Sequence, residues 1–371
     1  MITVIGGGLA GTEAAWQAAS RGVPVTLHEM RPARATPVHK GDGLAELVCS
    51  NSFRGDKLDN AVGLLKAEMR QLGSLVMRAA EASRVPAGAA LAVDRERFSS
   101  IITSEIASHS LITLVRGEVT TLPEATERHP VIVATGPLTS ESLSAEIARI
   151  VGQAHLYFYD AISPIVLAES IDLGKAFRQS RWDRSFRAAG PGPTNRGRES
   201  TLEAEVTHGG GAPCAIGNDD TGDYLNCPLT REEYQRFYDA LVHAESATVH
   251  DFDKERFFEG CLPIEVMAHR GVDTLRFGPM KPVGLVDPRT GREPYAAVQL
   301  RQDNLAGDHY SLVGFQTQLK WGEQARVLRL VPGLEQAEFA RFGMVHRNTY
   351  VNGPTVLAET WQVRSLPAMF F

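Results

Sequence analysis

Apolar and polar positions alternate with two clear periods along this chain. Residues 2–5, Ile-Thr-Val-Ile, are a short β-rich run, and Thr12 to Arg21 is Ala-rich and helix-prone, with Gly22 placed to close the helix. Val25-Thr-Leu27 reads as a second strand. Between Asn60 and Ser83, Leu64, Leu65, Met69, Leu72, Leu75 and Val76 recur on one side of a helix, with Asp59 or Asn60 available as its cap. Arg84-Val-Pro86-Ala-Gly88 breaks the chain. Asp94 caps a shorter helix carrying Phe98, Ile101, Ile102 and Ile106, and residues 111–120 read as strand.

From about residue 140 the pattern changes. "LYFYDAISPIV" (156–166) is aromatic and β-branched, which predicts a strand and turn. In "DYLNCPLTREEYQRFYDALV" (223–242), Thr230 and Glu233 form a T-x-x-E capping box, and Tyr234, Phe237, Tyr238, Leu241 and Val242 mark the apolar helix face. Residues 314–335 read as a helix with Trp321, Val327 and Leu330.

Composition narrows the class. The 371 residues are 43% hydrophobic and 22% charged, ordinary for a soluble globular chain long enough for two domains or one domain with a large insertion. No apolar run reaches membrane-span length, and "MITVIGGGLAG" lacks the basic start of a signal peptide, so the expected location is cytoplasmic, with no membrane partner. A net charge of −6 gives no global signal for nucleic-acid binding, which would need a local basic patch. The four cysteines, Cys49, Cys214, Cys227 and Cys261, form no C-x-x-C pair, so no metal site is expected and free thiols are.

The candidate chemistry begins at the N-terminus. Gly6, Gly7, Gly8, Leu9, Ala10 and Gly11 fit G-x-G-x-x-G between a strand and a helix, and Glu29 follows the second strand eighteen residues past Gly11. Gly6 permits the tight turn, Gly8 lets the backbone approach a pyrophosphate, and Gly11 lets helix and strand pack closely. The helix start offers N–H groups to phosphates, and Glu29 accepts from the adenosine ribose. "VIVATG" (131–136), a second buried strand ending in Ala134-Thr135-Gly136, favours FAD over a plain nicotinamide site.

Three further features carry candidate chemistry. Cys49 sits at the tip of the loop "LVCSNSFR". Cys227 falls in a turn just before a helix start, where the positive helix end would favour a thiolate, although the spacing equally fits a small buried residue. Lys175, Arg178, Arg181, Arg184, Arg187, Arg196 and Arg198 stand against one acid, Asp183, and suit either a solvated linker or a phosphate-contacting arm. Lys281, between Pro279 and Pro282, is either held toward an anion or simply exposed, and Cys261 reads as packed.

Together "VIGGGLAGTEAAWQAA", "LVCSNSFR", "NAVGLLKAEMR", "VPAGAALAVDRERF", "VIVATGPLTS", "DYLNCPLTREEY", "FFEGCLPIEVMA", "LRFGPMKPVGLVDPRTG", "LRQDN", "LVGFQTQLKWGEQ" and "MVHRNTYVN" resemble the folate- and FAD-dependent tRNA (uracil-5-)-methyltransferases, the TrmFO family, related to GidA. The resemblance covers nearly the whole chain. It implies an α/β fold: a glutathione-reductase-type, FAD-binding Rossmann-like domain (1–145) with an inserted α+β domain (146–300) and a return to the first (301–371). It implies C5-methylation of the T-loop uridine (uridine 54) of tRNA. The one-carbon donor is then 5,10-methylenetetrahydrofolate, with FAD as cofactor and NADPH or NADH as reductant. It also implies Cys227 as the nucleophile at C6 of uracil and Cys49 as its partner thiol. The alternatives are a GidA-type flavoprotein acting on the wobble uridine, or an inactive truncated RNA-binding flavoprotein. Two departures from the family stand out. Residues 184–218 are longer and richer in Gly, Pro and Arg than expected, as an inserted loop would be. The chain also stops at "LPAMFF", before the family's Ala-Gly-Gln turn, which leads us to expect an incomplete flavin site, FAD bound weakly or not at all, and impaired activity.

Overall fold

The computed structural model describes residues 1–36, 38–152, 156–183, 222–247, 257 and 261–371. Its first layer is a six-stranded sheet in the order Gln362–Val363, Leu366–Phe370, Val131–Val133, Ile2–Ile5, Val25–Glu29, Ile112–Arg116. The strands from Leu366–Phe370 to Ile112–Arg116 pair in parallel, with Gln362–Val363 antiparallel at one edge. Val4, Leu27 and Val131 are buried at the sheet centre, as both-faced burial of a parallel sheet demands. The helix Leu9–Ser20 crosses from the first strand to the second.

Asn60 caps Ala61–Gln71 by accepting from the Gly63 amide at 2.9 Å. The single helix expected to Ser83 is instead two. Gly73 takes φ +72° and Ser74 caps a second helix, Leu75–Ala82, so the chain turns inward there. Leu64, Leu65 and Leu72 consequently stay exposed, while Leu75 and Val76 enter the core. Asp94 caps Arg95–Ser108, and Phe98, Ile102 and Ile106 are buried as expected.

The second layer is an antiparallel sheet in the order Phe177–Arg178, Tyr224–Leu229, Ala296–Gln302, His309–Leu312, Ile165–Leu167, Phe339–Arg341. It runs past the expected boundary at residue 300 as far as Arg341. The helix Arg231–Val242 opens with the capping box of Thr230 and Glu233 and lays Tyr234, Phe237 and Leu241 on this sheet. The expected helix over 314–335 shortens to Trp321–Leu328, with Val327 buried but Trp321 62% exposed. A two-stranded antiparallel ribbon, Leu156–Ala161 with Val345–Tyr350, stands apart from both sheets. No helix among the described residues is long and apolar enough to cross a membrane.

Candidate active site

The glycine turn has the geometry its spacing predicts. Gly6 adopts φ +107°, and a Cβ there would lie 2.5 Å from the Ala134 carbonyl oxygen. A Cβ on Gly11 would lie 1.8 Å from the Gly6 carbonyl oxygen, so helix and strand touch only because both residues are bare. At Gly8 a Cβ would meet nothing within 4 Å, and no side chain caps the helix that starts at Leu9. Open backbone approach and uncapped N–H groups are what a bound pyrophosphate requires. Leu9 is half-buried and Ala10 exposed on the first turn. Ala134 donates its N–H to Ile5 at 2.8 Å, Thr135 bonds Thr139 through its hydroxyl, and Gly136 turns with φ +64°.

Glu29 is buried at the end of its strand. Its carboxylate accepts from the Gly7 amide at 2.9 Å, the Arg31 amide at 3.0 Å and Arg31 Nε at 2.8 Å. These bonds outweigh its burial and hold its pKa below the usual carboxylate value. A carboxylate has about four lone-pair sites, so room remains for a ribose hydroxyl. The residues present therefore fit the adenosine and pyrophosphate of FAD.

The same turn anchors the loop that carries Cys49. The Ala45 amide donates to the Gly7 carbonyl at 2.8 Å. Four residues of extended chain reach at most about 14 Å, which bounds the span from Ala45 to Cys49. Beyond the thiol, Arg301 pins the loop by donating to Asn51 Oδ1 at 2.9 Å and Ser50 Oγ at 3.0 Å, and Asn51 donates to the Val93 carbonyl at 3.0 Å.

The thiol meets the ribbon. His346 stands directly opposite Asp160 in the antiparallel register, so the two side chains share a face, and Asn348 lies two residues on along that face. Cys49 Sγ is 3.5 Å from His346 Nε2 and 4.0 Å from Asp160 Oδ2. His346 Nδ1 lies 2.7 Å from Asn348 Oδ1, an atom that only accepts, so Nδ1 carries the ring proton. Burial lowers the His346 pKa and keeps the ring neutral near pH 7. Nε2 is then a free lone pair facing the Cys49 thiol. Donor atoms of Cys49, Asp160 and His346 lie within 4.8 Å of one another, a spacing that also admits a small metal ion.

Cys261 joins this cluster. It is half-buried and lies within electrostatic reach of both Asp160 and Cys49. The reading of Cys261 as simple packing is therefore corrected: two thiols flank one carboxylate. Burial and Asp160 push the Cys49 thiol up to about 11 and that of Cys261 to about 12, from an ordinary 9.0. Both are S–H at neutral pH and need a base to become nucleophiles. Because the folded chain holds these protons more tightly than the unfolded chain, the stability they contribute is whole below pH 9. It is lost as pH rises from there through the folded values. Iodoacetamide labelling of Cys49 and Cys261 in the free protein is expected to stay slow up to pH 9 and to accelerate toward pH 11. Mass spectrometry of each peptide checks it.

Cys227 stands elsewhere. It lies inside the strand Tyr224–Leu229, not in a turn before a helix, and is 0% exposed among Leu225, Leu229, Phe237 and Val298. Burial pushes its thiol up to about 12, the opposite of activation by a helix end. The structure does not bring it to Cys49. Of the basic stretch, Lys175 pairs with Glu335, Arg178 donates to Tyr310 Oη at 2.8 Å, and Arg181 donates to the Val283 and Lys281 carbonyls at 2.6 Å. These three are engaged by partners within the fold. The other arginines, and Cys214, lie outside the described residues.

Asp160, His346 and Asn348 were not singled out from the sequence, although "LYFYD" and "MVHRNTYVN" contain them. Only the ribbon register brings them together.

Comparison with known proteins gives the family. The family model described as glucose inhibited division protein A matches residues 1–196 and 214–371, passing over part of the expected loop insertion. Over 369 residues the chain is 55% identical to the methylenetetrahydrofolate–tRNA-(uracil-5-)-methyltransferase TrmFO of Desulforudis audaxviator and 56% to that of Moorella thermoacetica. These matches cover 100% of this chain and 75% and 76% of the relatives. Two crystal forms of Aquifex aeolicus GidA superpose over 100% of the chain with a TM-score of 0.65, at 16% and 17% identity. The chain spans 58% and 61% of those GidA chains, and the likeness carries the flavoprotein fold, an α/β architecture with a Rossmann-like domain.

Proposed function

From its membership of the methylenetetrahydrofolate–tRNA-(uracil-5-)-methyltransferase TrmFO family, to which the chain belongs within the wider GidA family, we propose that it methylates C5 of the T-loop uridine of tRNA. Methylenetetrahydrofolate is the one-carbon donor, NADPH or NADH the reductant, and tRNA the partner that places the work in the cytoplasm. FAD, when bound, supplies the reducing equivalents that complete the methyl group. Gly6, Gly8, Gly11 and Glu29 hold its adenosine and pyrophosphate, with Ala134, Thr135 and Gly136 alongside. The wobble-uridine alternative is not favoured, since relatives at 51–56% identity over the chain carry the uracil-5-methyltransferase name.

The observation that carries this reading is the convergence of Cys49 and Cys261 on Asp160. Uracil C5 is a weak nucleophile until sulfur adds at C6 and moves electron density to C5. Cys261, within electrostatic reach of Asp160, gives that carboxylate its proton and adds to C6. After C5 has taken the one-carbon unit, its remaining proton must leave. Cys49 hands its own proton to His346 Nε2, and the resulting thiolate takes the proton from C5. Loss of the Cys261 sulfur from C6 then releases the enzyme. Cys261 thus takes the role that the family resemblance had lent to Cys227.

The test supplies FAD, methylenetetrahydrofolate, NADPH and unmodified tRNA, then measures nucleosides by mass spectrometry. 5-Methyluridine at position 54 is expected, and none when S-adenosylmethionine replaces the folate. Methylation that needs S-adenosylmethionine, or modification confined to the anticodon, overturns the reading.

A further inference from the structure

Behind the ribbon lies a feature that the proposed chemistry does not use. Val345 precedes His346 on one strand, so its side chain points to the opposite face. There it lines a cavity of about 400 Å³ with Gln318, Leu319, Trp321, Gly343 and Met344, a size typical of small-ligand pockets. Gln318 is 8% exposed, and its Oε1 is buried with no hydrogen-bond partner among the described residues. A buried acceptor without a donor costs stability, so a native one calls for an explanation.

The cavity wall explains what would supply the donor. Trp321 stacks on Phe342 with centroids 5.8 Å apart and planes 13° from parallel, and Phe342 stacks on Phe339 at 4.9 Å and 20°. The Arg329 guanidinium closes the far end, 6.0 Å from the Phe339 ring centroid. At the near end Trp321 is 62% exposed, so the stack terminates in an open ring on the cavity that Gln318 also lines. One more flat ring carrying an N–H group satisfies both. Every nucleobase offers a π-face, and each standard base also offers a ring N–H or an exocyclic amino group.

We propose that Trp321 and Gln318 form a subsite for an unstacked nucleobase of the RNA substrate, the base lying on Trp321 and donating to Gln318 Oε1. This rests on the tRNA reading above. The ribbon separates the cavity from the thiols, so the base held here is a neighbour of the target uridine rather than the target. Extruding one base from a structured loop costs unstacking of its neighbours, and a second ring-binding site offsets that cost.

The experiment titrates a T-arm hairpin RNA into the full chain and reads fluorescence anisotropy. Trp321→Ala and Gln318→Leu are each expected to weaken binding about tenfold, with Trp321→Phe recovering most of the loss. Neither side chain makes a hydrogen bond among the described residues, and Trp321→Phe keeps a ring to stack on Phe342. Trp321 is exposed, and it is the Gln318 amide, not its side chain, that bonds Glu265 at 2.8 Å. Hairpins with a single abasic site at each loop position complete the set. At one position the abasic loss and the Trp321→Ala loss are expected not to add, because both remove one contact. Unchanged affinity in both variants, or full additivity at every position, overturns the subsite while leaving the tRNA reading intact. Failure of the unaltered chain to bind the hairpin overturns both.

Discussion

Cys261→Ala and Cys49→Ala are each expected to lower methylation kcat/KM at least about a thousandfold, while Cys227→Ala stays within about twofold of the unaltered chain. The physical reason is access. Cys261 and Cys49 are half-buried beside Asp160, His346 Nε2 lies 3.5 Å from Cys49 Sγ, and the proposed base for Cys261 is Asp160. Cys227 has neither base nor access; Leu225, Leu229, Phe237 and Val298 surround it, and a Cβ on Gly333 would sit 3.5 Å from its sulfur. Removing that sulfur leaves a small cavity, so Cys227→Ala is expected to cost about 1 kcal/mol of stability. The two active-site variants should also differ from each other. Without Cys261 no sulfur reaches C6, and 5-fluorouridine RNA forms no covalent adduct. Without Cys49 the addition proceeds and proton removal from C5 fails, so the adduct forms. Equal loss of adduct in both variants would contradict this division of roles.

Two alanines in the glycine turn are expected to abolish flavin binding for opposite reasons. At Gly11 a Cβ would lie 1.8 Å from the Gly6 carbonyl oxygen, an impossible approach. Gly11→Ala must push the helix Leu9–Ser20 off the first strand, costing about 3 kcal/mol or more, and flavin is lost with the packing. At Gly8 the added methyl meets nothing within 4 Å, and the backbone is extended at φ −77° and ψ −169°. Gly8→Ala should leave the apo melting temperature nearly unchanged, since alanine for glycine at a helix N-cap costs less than about 1 kcal/mol. It should still lose flavin, because the methyl occupies the approach of the pyrophosphate to the uncapped N–H groups. Flavin fluorescence quenching and thermal melts of the apo protein separate the two. If Gly8→Ala binds FAD as the unaltered chain does, the phosphate cradle lies elsewhere.

The parts of this molecule fixed by local chemistry were legible before any coordinates. The glycine turn, the caps at Asn60 and Asp94, and the box of Thr230 and Glu233 each follow from residues a few positions apart. The break at Gly73 was missed because the apolar period continues through it; only the backbone at φ +72° and the Ser74 cap reveal the turn. Trp321 was read as lying inside a helix over 314–335, yet the helix begins at that residue and its ring stacks on Phe342. The thiols divide in the same way. Local sequence put Cys227 near a helix start, three residues before Thr230, and that much is true. What it hid is that these residues are the end of a central strand, paired with Ala296–Gln302 and sealed by the helix that follows. Cys261 is the reverse case. Its glycine and proline neighbours suggest packing, and its proposed role emerges only when a ribbon joining residues 156–161 to 345–350 carries Asp160 within its electrostatic reach.

The most direct measurement of the central claim is peptide mapping of the protein after reaction with a T-arm RNA bearing 5-fluorouridine at the target position. We expect the modified nucleotide on the peptide containing Cys261, with Cys227 unmodified until the chain is denatured. An adduct on Cys227 in the folded protein would contradict the account, because no sulfur sealed in the second sheet's core reaches a pyrimidine without the core first opening.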